Sequence, residues 1–133
     1  MNILEKKNYY KYLFLIGAIW NLAVGFLFIA LSPIAESIMP MFGMEVPPSL
    51  VFFHGFFGLT ALFGIGYYLV SRNIDKNHGI VLLGAIGKFY VFILFLIYFI
   101  LGDTNFLPVV TVIVVLIFGC LYVEFLIYKK KIE

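Results

Sequence analysis

Four side chains that could carry chemistry lie inside long apolar stretches of the sequence: Asn21, His54, Lys88 and Glu124. Lys88 is the most informative, because it is the only charged residue between Gly79 and Leu101. A helix of that length, rising about 1.5 Å per residue, crosses a hydrocarbon core of about 30 Å. Lys88 would then lie near the midplane, where an ammonium costs about 2.5–3.5 kcal/mol unless a neighbouring helix supplies a partner.

Each of these polar residues also has a small residue four positions away along the chain. The sets are Asn21 with Gly17 and Gly25, His54 with Gly58, Lys88 with Gly84, and Glu124 with Cys120. Residues four apart share a helix face, and small residues let helix backbones approach one another in a membrane. We therefore expect the polar side chains to face the interior of a helical bundle.

Depth along the helices indicates which of these groups can meet. In antiparallel spans, Asn21 lies close to the level of Lys88, and the long lysine side chain can bend toward Glu124. We expect a Lys88–Glu124 ion pair, with Asn21 and either Tyr90 or Tyr67 completing the hydrogen bonds. Such a pair can serve only to fix helix register, but an ionisable group inside a membrane is by default a functional-site hypothesis.

His54 lies in the opposite half of the bundle from Glu124, and we expect a hydrogen-bonded structural role for it. With the loop carboxylates of Glu36, Glu45 and Asp103 it could line a vestibule at that side of the membrane. The spacing of these residues matches no metal-binding motif. We therefore predict no metal site.

The composition explains why these residues must be positioned by membrane helices. Of 133 residues, 64% are hydrophobic and only 12% are charged, too few to cover a soluble domain of this size. Four apolar spans are predicted at about 13–31, 50–70, 79–101 and 106–128. The connection at 32–48 contains four prolines and near-helical apolar spacing, which predicts a short interfacial helix that does not span.

We predict an all-α fold: residues 1–133 form a single domain, a polytopic membrane protein with an antiparallel bundle of four transmembrane helices. The first span exceeds the usual length of a signal-peptide core, so we expect it to be retained. Apart from Lys88, every Lys and Arg lies in the two tails or the 71–78 loop. By the positive-inside rule, both termini are predicted to be cytoplasmic.

Several activities lack the residues that they require. Cys120 is the single cysteine, which rules out an internal disulfide and a CxxC redox pair. His54 and His78 would lie near opposite faces of the membrane, which disfavours haem ligation. No serine in a span lies next to His54, no phosphate-binding glycine loop is present, and the basic residues are too few and scattered for nucleic acid. We predict no catalytic set, and no particular cofactor is indicated.

Two glycine-rich stretches carry a resemblance to a known group. Phe63-Gly64-Ile65-Gly66-Tyr67-Tyr68 ends the second span, and Gly84-Ala85-Ile86-Gly87-Lys88 lies in the third. This layout resembles small bacterial four-helix membrane proteins of the broad DoxX-like group. The resemblance implies a location in the bacterial inner membrane and, for some members, a role as a membrane subunit of quinone-linked oxidoreductases. It transfers no catalytic residues to this chain.

We expect a non-enzymatic role: binding of a lipid-like or small ligand, or service as an accessory subunit, through an interior polar site around Lys88. One alternative is a quinone-linked or proton-coupled component of a membrane oxidoreductase, built on Lys88 and Glu124. Another is a subunit of an oligomeric channel or transporter, because four spans cannot easily enclose a pore alone. The expected partners are the lipid bilayer, a lipid-like or quinone ligand, and further copies or a partner membrane subunit.

Overall fold

The computed structural model describes residues 1–132, and over that range the chain forms four long helices and no strand. The helices are α1 (Ile3–Leu31), α2 (Val51–Arg72), α3 (His78–Leu101) and α4 (Phe106–Ile132). Each is long and apolar enough to cross a membrane. The predicted all-α class and its four membrane-length helices are therefore confirmed.

Two of the helices extend beyond the apolar spans into polar sequence. α1 begins ten residues before the predicted span, where the Asn2 side chain accepts a hydrogen bond from the Glu5 amide at 2.9 Å. The Glu5 carboxylate accepts from the backbone N–H of Asn2 at 2.8 Å, so the two residues form a capping box. α4 continues through the three lysines at 129–131. The apolar pattern predicts where a helix can lie in a membrane, whereas capping determines where the helix ends.

The segment between α1 and α2, residues 32–50, is called here the connecting segment. It contains three successive helical turns, at Ser32–Ile34, Ala35–Ile38 and Met39–Phe42, in place of the predicted single short helix. Two of its prolines stand at the start of turns, where the missing N–H is not needed. Gly43, at φ +69°, ends the last turn in a conformation that favours glycine.

The two ends of the bundle carry different elements. The start of α1, the end of α4 and the loop 73–77 lie together at one end, called here the terminal end, where Asp75 contacts both Lys7 and Lys129. The connecting segment and the turn 102–105 lie at the other, called here the connection end. There the Asn105 side chain donates a hydrogen bond to the Met41 carbonyl at 2.9 Å.

The helices pack as two close pairs, and glycine allows the closest approach in the first. α1 lies against α2, where a Cβ on Gly25 would come within 2.7 Å of the Phe57 carbonyl oxygen and 2.9 Å of the Ala61 backbone nitrogen. A Cβ on Gly64 would lie 2.8 Å from the Leu22 side chain. The Gly64 position also lies 3.0 Å from the Leu22 backbone nitrogen and 3.1 Å from the Ala18 carbonyl oxygen. Because backbone atoms cannot move aside as a flexible side chain can, glycine at both positions allows α1 and α2 to pack this closely.

The second pair is formed by α3 and α4. Here a Cβ on Gly119 would lie 3.3 Å from the Cβ of Lys88, so the two backbones approach each other beside the buried lysine. Contacts between the two pairs are sparser than contacts within them. The bundle is therefore two tight pairs with a looser seam between them.

At the terminal half, that seam is filled by aromatic side chains. The ring centroids of Phe14 and Tyr122, and those of Tyr67 and Tyr122, are each 4.9 Å apart. Offset and edge-to-face rings at this spacing attract one another as well as burying apolar area. The buried set, called here the aromatic cluster, consists of Tyr10, Phe14, Tyr67, Phe118, Tyr122 and Phe125. It closes the bundle at its terminal half.

The outward faces of the four helices are apolar. Ile19, Leu62, Ile86 and Ile117, one from each helix, are all exposed on the surface of the isolated chain. A water-soluble protein rarely presents such a continuous apolar exterior. Together with the helix lengths, this surface is that of a multi-pass membrane protein.

An ion-pair clamp joins three elements at the terminal end. The Asp75 carboxylate, in the α2–α3 loop, accepts hydrogen bonds from Lys129 of α4 and from Lys7 of α1, the latter at 3.0 Å. The Lys129 side chain is nearly buried, and this carboxylate is its ion-pair partner. Hydrogen bonds from Lys129 and Lys7 hold the pKa of Asp75 at about 2, below its ordinary value of 3.8.

The lowered pKa predicts an acid-sensitive clamp. It stabilises the folded chain fully above pH 3.8 and loses that effect as the pH falls toward 2, because the folded state then binds the proton less readily than the unfolded state. Asp75→Asn should lower the melting temperature at neutral pH and flatten its decline between pH 4 and 2. Thermal unfolding in detergent measures both, with Asp103→Asn as the control that keeps the wild-type profile. An unchanged acid profile in Asp75→Asn would contradict the clamp.

Candidate functional site

Lys88 points into the bundle, as the spacing of the small residues predicts. Its side chain is only 5% exposed, and its Nζ donates a hydrogen bond to Asn21 Oδ1 at 3.2 Å. The bond runs from α3 to α1 and therefore links the two helix pairs across their seam. The predicted contact between Lys88 and Asn21 is confirmed.

The Asn21 amide is held in one orientation by a second bond. Its Nδ2 donates to the Thr60 backbone carbonyl of α2 at 3.1 Å, which leaves Oδ1 directed at Lys88. A carbonyl in the middle of a helix is a fixed acceptor, because the helical backbone holds it in one direction. Asn21 thus accepts a hydrogen bond from the lysine of one helix pair and donates one to the backbone of the other pair.

Aromatic rings lie on further sides of the ammonium group. The Lys88 Nζ lies 5.1 Å from the ring centroid of Tyr67, 5.3 Å from that of Phe118 and 5.5 Å from that of Tyr122. A cation within about 6 Å of a ring face is attracted by the ring quadrupole, with more effect where water is excluded. Tyr67, predicted as a hydrogen-bonding partner, contributes its ring to this environment.

Glu124 does not join this centre. It is exposed, and its carboxylate accepts a hydrogen bond from the Tyr10 hydroxyl at 3.0 Å. Among residues 1–132, Lys88 and Glu124 form no ion pair, so the predicted pairing is wrong. Tyr90, the other predicted hydrogen-bonding partner, is 63% exposed and completes no bond to Lys88.

The error at Glu124 has a geometric origin. Cys120 marks the expected packing face of α4, but it is exposed, whereas Gly119 is the small residue that contacts Lys88. Adjacent helix positions differ by about 100° around the axis, which rotates Glu124 from the interior to the outside. The inward stripe of α4 is instead Phe118, Tyr122, Phe125 and Lys129. Its spacing of three and four residues was the signal that could have identified that face.

The ammonium of Lys88 is left without a counter-ion in the described part of the chain. An ammonium has three N–H donors, and Asn21 accepts one of them. The Tyr122 hydroxyl is also buried, with no hydrogen-bond partner in residues 1–132. Two polar groups at the centre of the bundle therefore have unused hydrogen-bonding capacity, which is costly in a medium without water.

A large cavity lies between the helix pairs, with Lys88 at one end of it. Its volume is about 760 Å³, and its wall is overwhelmingly apolar. Asn21, Thr60 and Lys88 supply polar groups, while the rest of the lining is mainly aromatic and aliphatic. The apolar lining includes Trp20, Phe28, Phe57, Phe63, Leu94 and Phe95. A concave, apolar space with a few convergent polar groups is the usual form of a ligand site.

The cavity opens sideways between α2 and α3. Leu59 of α2 and Tyr90 of α3 both border it, although both side chains are exposed on the outer surface. Gly87, which also borders it, has no atom within 4 Å of the position that a Cβ would take. Closer to the loop 73–77 the two helices touch, since a Cβ on Gly66 would lie 3.0 Å from Ile80. The helices therefore diverge toward the connection end.

His54 forms a separate structural link. Its Nε2 lies 2.9 Å from Ser32 Oγ, and the Ser32 hydroxyl donates to the Ile29 carbonyl at 2.7 Å. Because the serine proton is already used, the imidazole donates to Ser32 and thereby joins the start of α2 to the end of α1. His54 does not line the cavity, and no metal-binding group of three His, Cys, Asp or Glu residues occurs among the described residues.

No family model, curated protein or solved structure matches this chain. The chemistry open to the site is that of its own residues. Those residues provide a cationic donor at the closed end of an apolar cavity that is open to the side.

A double-mutant cycle tests the Lys88–Asn21 bond. Asn21→Leu should cost about 1.5–3 kcal/mol more in the wild-type background than in Lys88→Met, because a hydrogen bond to a charged group is lost only when the lysine is present. The bond from Asn21 to Thr60 is removed in both backgrounds and cancels. Unfolding free energies in mild detergent give the coupling, and equal costs in the two backgrounds would show that the residues do not interact.

Proposed function

We propose that this protein binds a membrane-dissolved amphiphile in the cavity between its helix pairs, with the polar head of the ligand against Lys88. The observation that carries this proposal is the position of an unsatisfied ammonium at the inner end of an apolar cavity of about 760 Å³. The cavity volume falls within the range of about 300–1,000 Å³ typical of small-molecule sites. A head group that accepts hydrogen bonds would complete the donors that Asn21 leaves free.

The route of entry follows from the side opening. A ligand dissolved in lipid reaches the gap between α2 and α3 without crossing water, and its head passes the exposed Tyr90 before it meets Lys88. The rim residues are amphipathic or apolar, which suits a molecule that moves within the bilayer. A water-soluble ligand would gain nothing from such a lateral entrance.

A channel through one copy of the chain is less well supported. The aromatic cluster closes the seam on the terminal side of Lys88, where Phe14, Tyr122 and Phe125 are fully buried. Conduction needs a continuous path lined by polar groups or water. The cavity ends at Lys88, which favours binding over passage.

A quinone is the second candidate ligand, and its carbonyl oxygens could accept from Lys88 in the same position. This would agree with the predicted resemblance to the DoxX-like group. However, Glu124, which a proton-coupled role would use, is turned away from Lys88 and bonded to Tyr10. The geometry therefore favours ligand binding without coupled proton transfer.

We further propose that the terminal end faces the cytoplasm of a bacterial cell and that the protein resides in its inner membrane. The basic residues support this orientation, because apart from Lys88 they all lie at the terminal end. In a Cys120→Ser background, an impermeant maleimide should label Ser37→Cys in intact cells and leave Lys130→Cys unlabelled until the cells are opened. The reverse labelling pattern would overturn the orientation.

Filling the cavity should abolish binding without unfolding the protein. Gly87→Leu places a side chain in the open space beside Lys88, whereas Gly79→Leu adds the same side chain where a Cβ also meets no atom, but outside the cavity lining. Native mass spectrometry should find a lipid-like non-protein mass on the wild type and on Gly79→Leu. At ligand levels far below saturation, its occupancy should fall about tenfold in Gly87→Leu, a loss of about 1.4 kcal/mol in binding free energy. Equal occupancy in all three proteins would contradict the proposed site.

A further inference from the structure

We infer that the ligand of this cavity is a single-chain lipid with an anionic carboxylate head, the chemistry of a long-chain fatty acid. The inference rests on the proposed function and names the class of amphiphile that the site would select. It follows from three properties of the site: the missing counter-ion, the single cation and the size of the cavity.

The first property is the missing counter-ion. The acidic side chains of residues 1–132 that lie toward the terminal end are already engaged: Glu5 by the Asn2 backbone, Asp75 by Lys7 and Lys129, and Glu124 by Tyr10. Glu36, Glu45 and Asp103 lie on the connecting segment and the turn 102–105, and do not line the cavity. An unpaired buried charge is strongly unfavourable, whereas a carboxylate from the ligand would both neutralise Lys88 and accept its free N–H groups.

The second property is that Lys88 is the only cationic residue lining the cavity within residues 1–132. A lysine is a compact point charge, whereas the bidentate recognition of phosphate oxygens typically uses arginine. The Asn21 oxygen beside Lys88 is an acceptor and would repel additional negative charge. The site therefore fits a small head group with one negative charge better than a phosphate monoester, which carries more charge, or a phosphate diester, which carries bulky substituents.

The third property is the volume. At about 30 Å³ per water-sized group, a cavity of about 760 Å³ holds roughly 25 such groups. A fatty acid of about 16–18 carbons has about 18–20 non-hydrogen atoms and therefore fits within this volume. A two-chain phospholipid has more than twice as many non-hydrogen atoms and would not fit. The aromatic lining suits an alkyl chain, which needs burial but no specific polar contact.

The test compares two probes that differ only in their head groups. Tritiated hexadecanoate and tritiated hexadecanol are bound to the full-length protein in phosphatidylcholine nanodiscs, with empty nanodiscs as background. The wild type should bind the acid about tenfold to a hundredfold more tightly than the alcohol, as expected for one charge-assisted hydrogen-bonded pair. Lys88→Met should abolish this difference and keep alcohol binding, which shows that the cavity is intact. Lys130→Met, a change at an exposed lysine, should keep the difference.

Each other outcome has a defined meaning. If acid and alcohol bind the wild type equally, the anionic head is wrong and amphiphile binding stands. If unlabelled decylbenzoquinone displaces the probes at a lower concentration than hexadecanoate does, the ligand is a neutral carbonyl compound and the inference is overturned. If neither probe binds above empty nanodiscs and native mass spectrometry finds no bound molecule, the proposed function fails together with the inference.

Discussion

The structure depends on how one buried ammonium is accommodated when no carboxylate of residues 1–132 pairs with it. Lys88 is held by an amide oxygen from α1 and by rings from α2 and α4, so every long helix contributes to its surroundings. None of these groups cancels the charge. They offset only part of the free-energy cost of burying the ammonium. Because part of that cost is left, the centre of the bundle is suited to receiving a hydrogen-bond acceptor from outside the chain.

Close packing and open space have a common origin in the arrangement of the helices. Gly25 and Gly64 allow α1 to pack closely against α2, and Gly119 allows α4 to pack closely against α3. Apolar packing is therefore concentrated within each pair. The seam between pairs is then wide enough to need large aromatic side chains at the terminal half. Toward the connection end, where the aromatic cluster no longer fills the seam, the space between the pairs is the cavity. The glycines that allow close packing within each pair thus leave the space of the cavity between the pairs.

The sequence was sufficient for the features that depend on local pattern. Apolar length predicts the four helices, and glycines four residues from Asn21 and Lys88 predict their inward orientation. The position of Glu124 was predicted wrongly, because Gly119 and Cys120 are adjacent and only the packing shows which of them faces α3. The cavity could not be predicted, since its size depends on how far α2 and α3 diverge, and no spacing rule encodes that distance.

The aromatic cluster gives the cavity a dead end, and this imposes an order on whatever occupies it. A molecule with one polar end must arrive head first and depart tail first, through the same lateral mouth. Under the proposed function, the ligand would exchange within one leaflet, beside α2 and α3, and its tail would leave the cavity before its head. Under the proposed function, both binding and release would therefore depend on one lateral opening between α2 and α3.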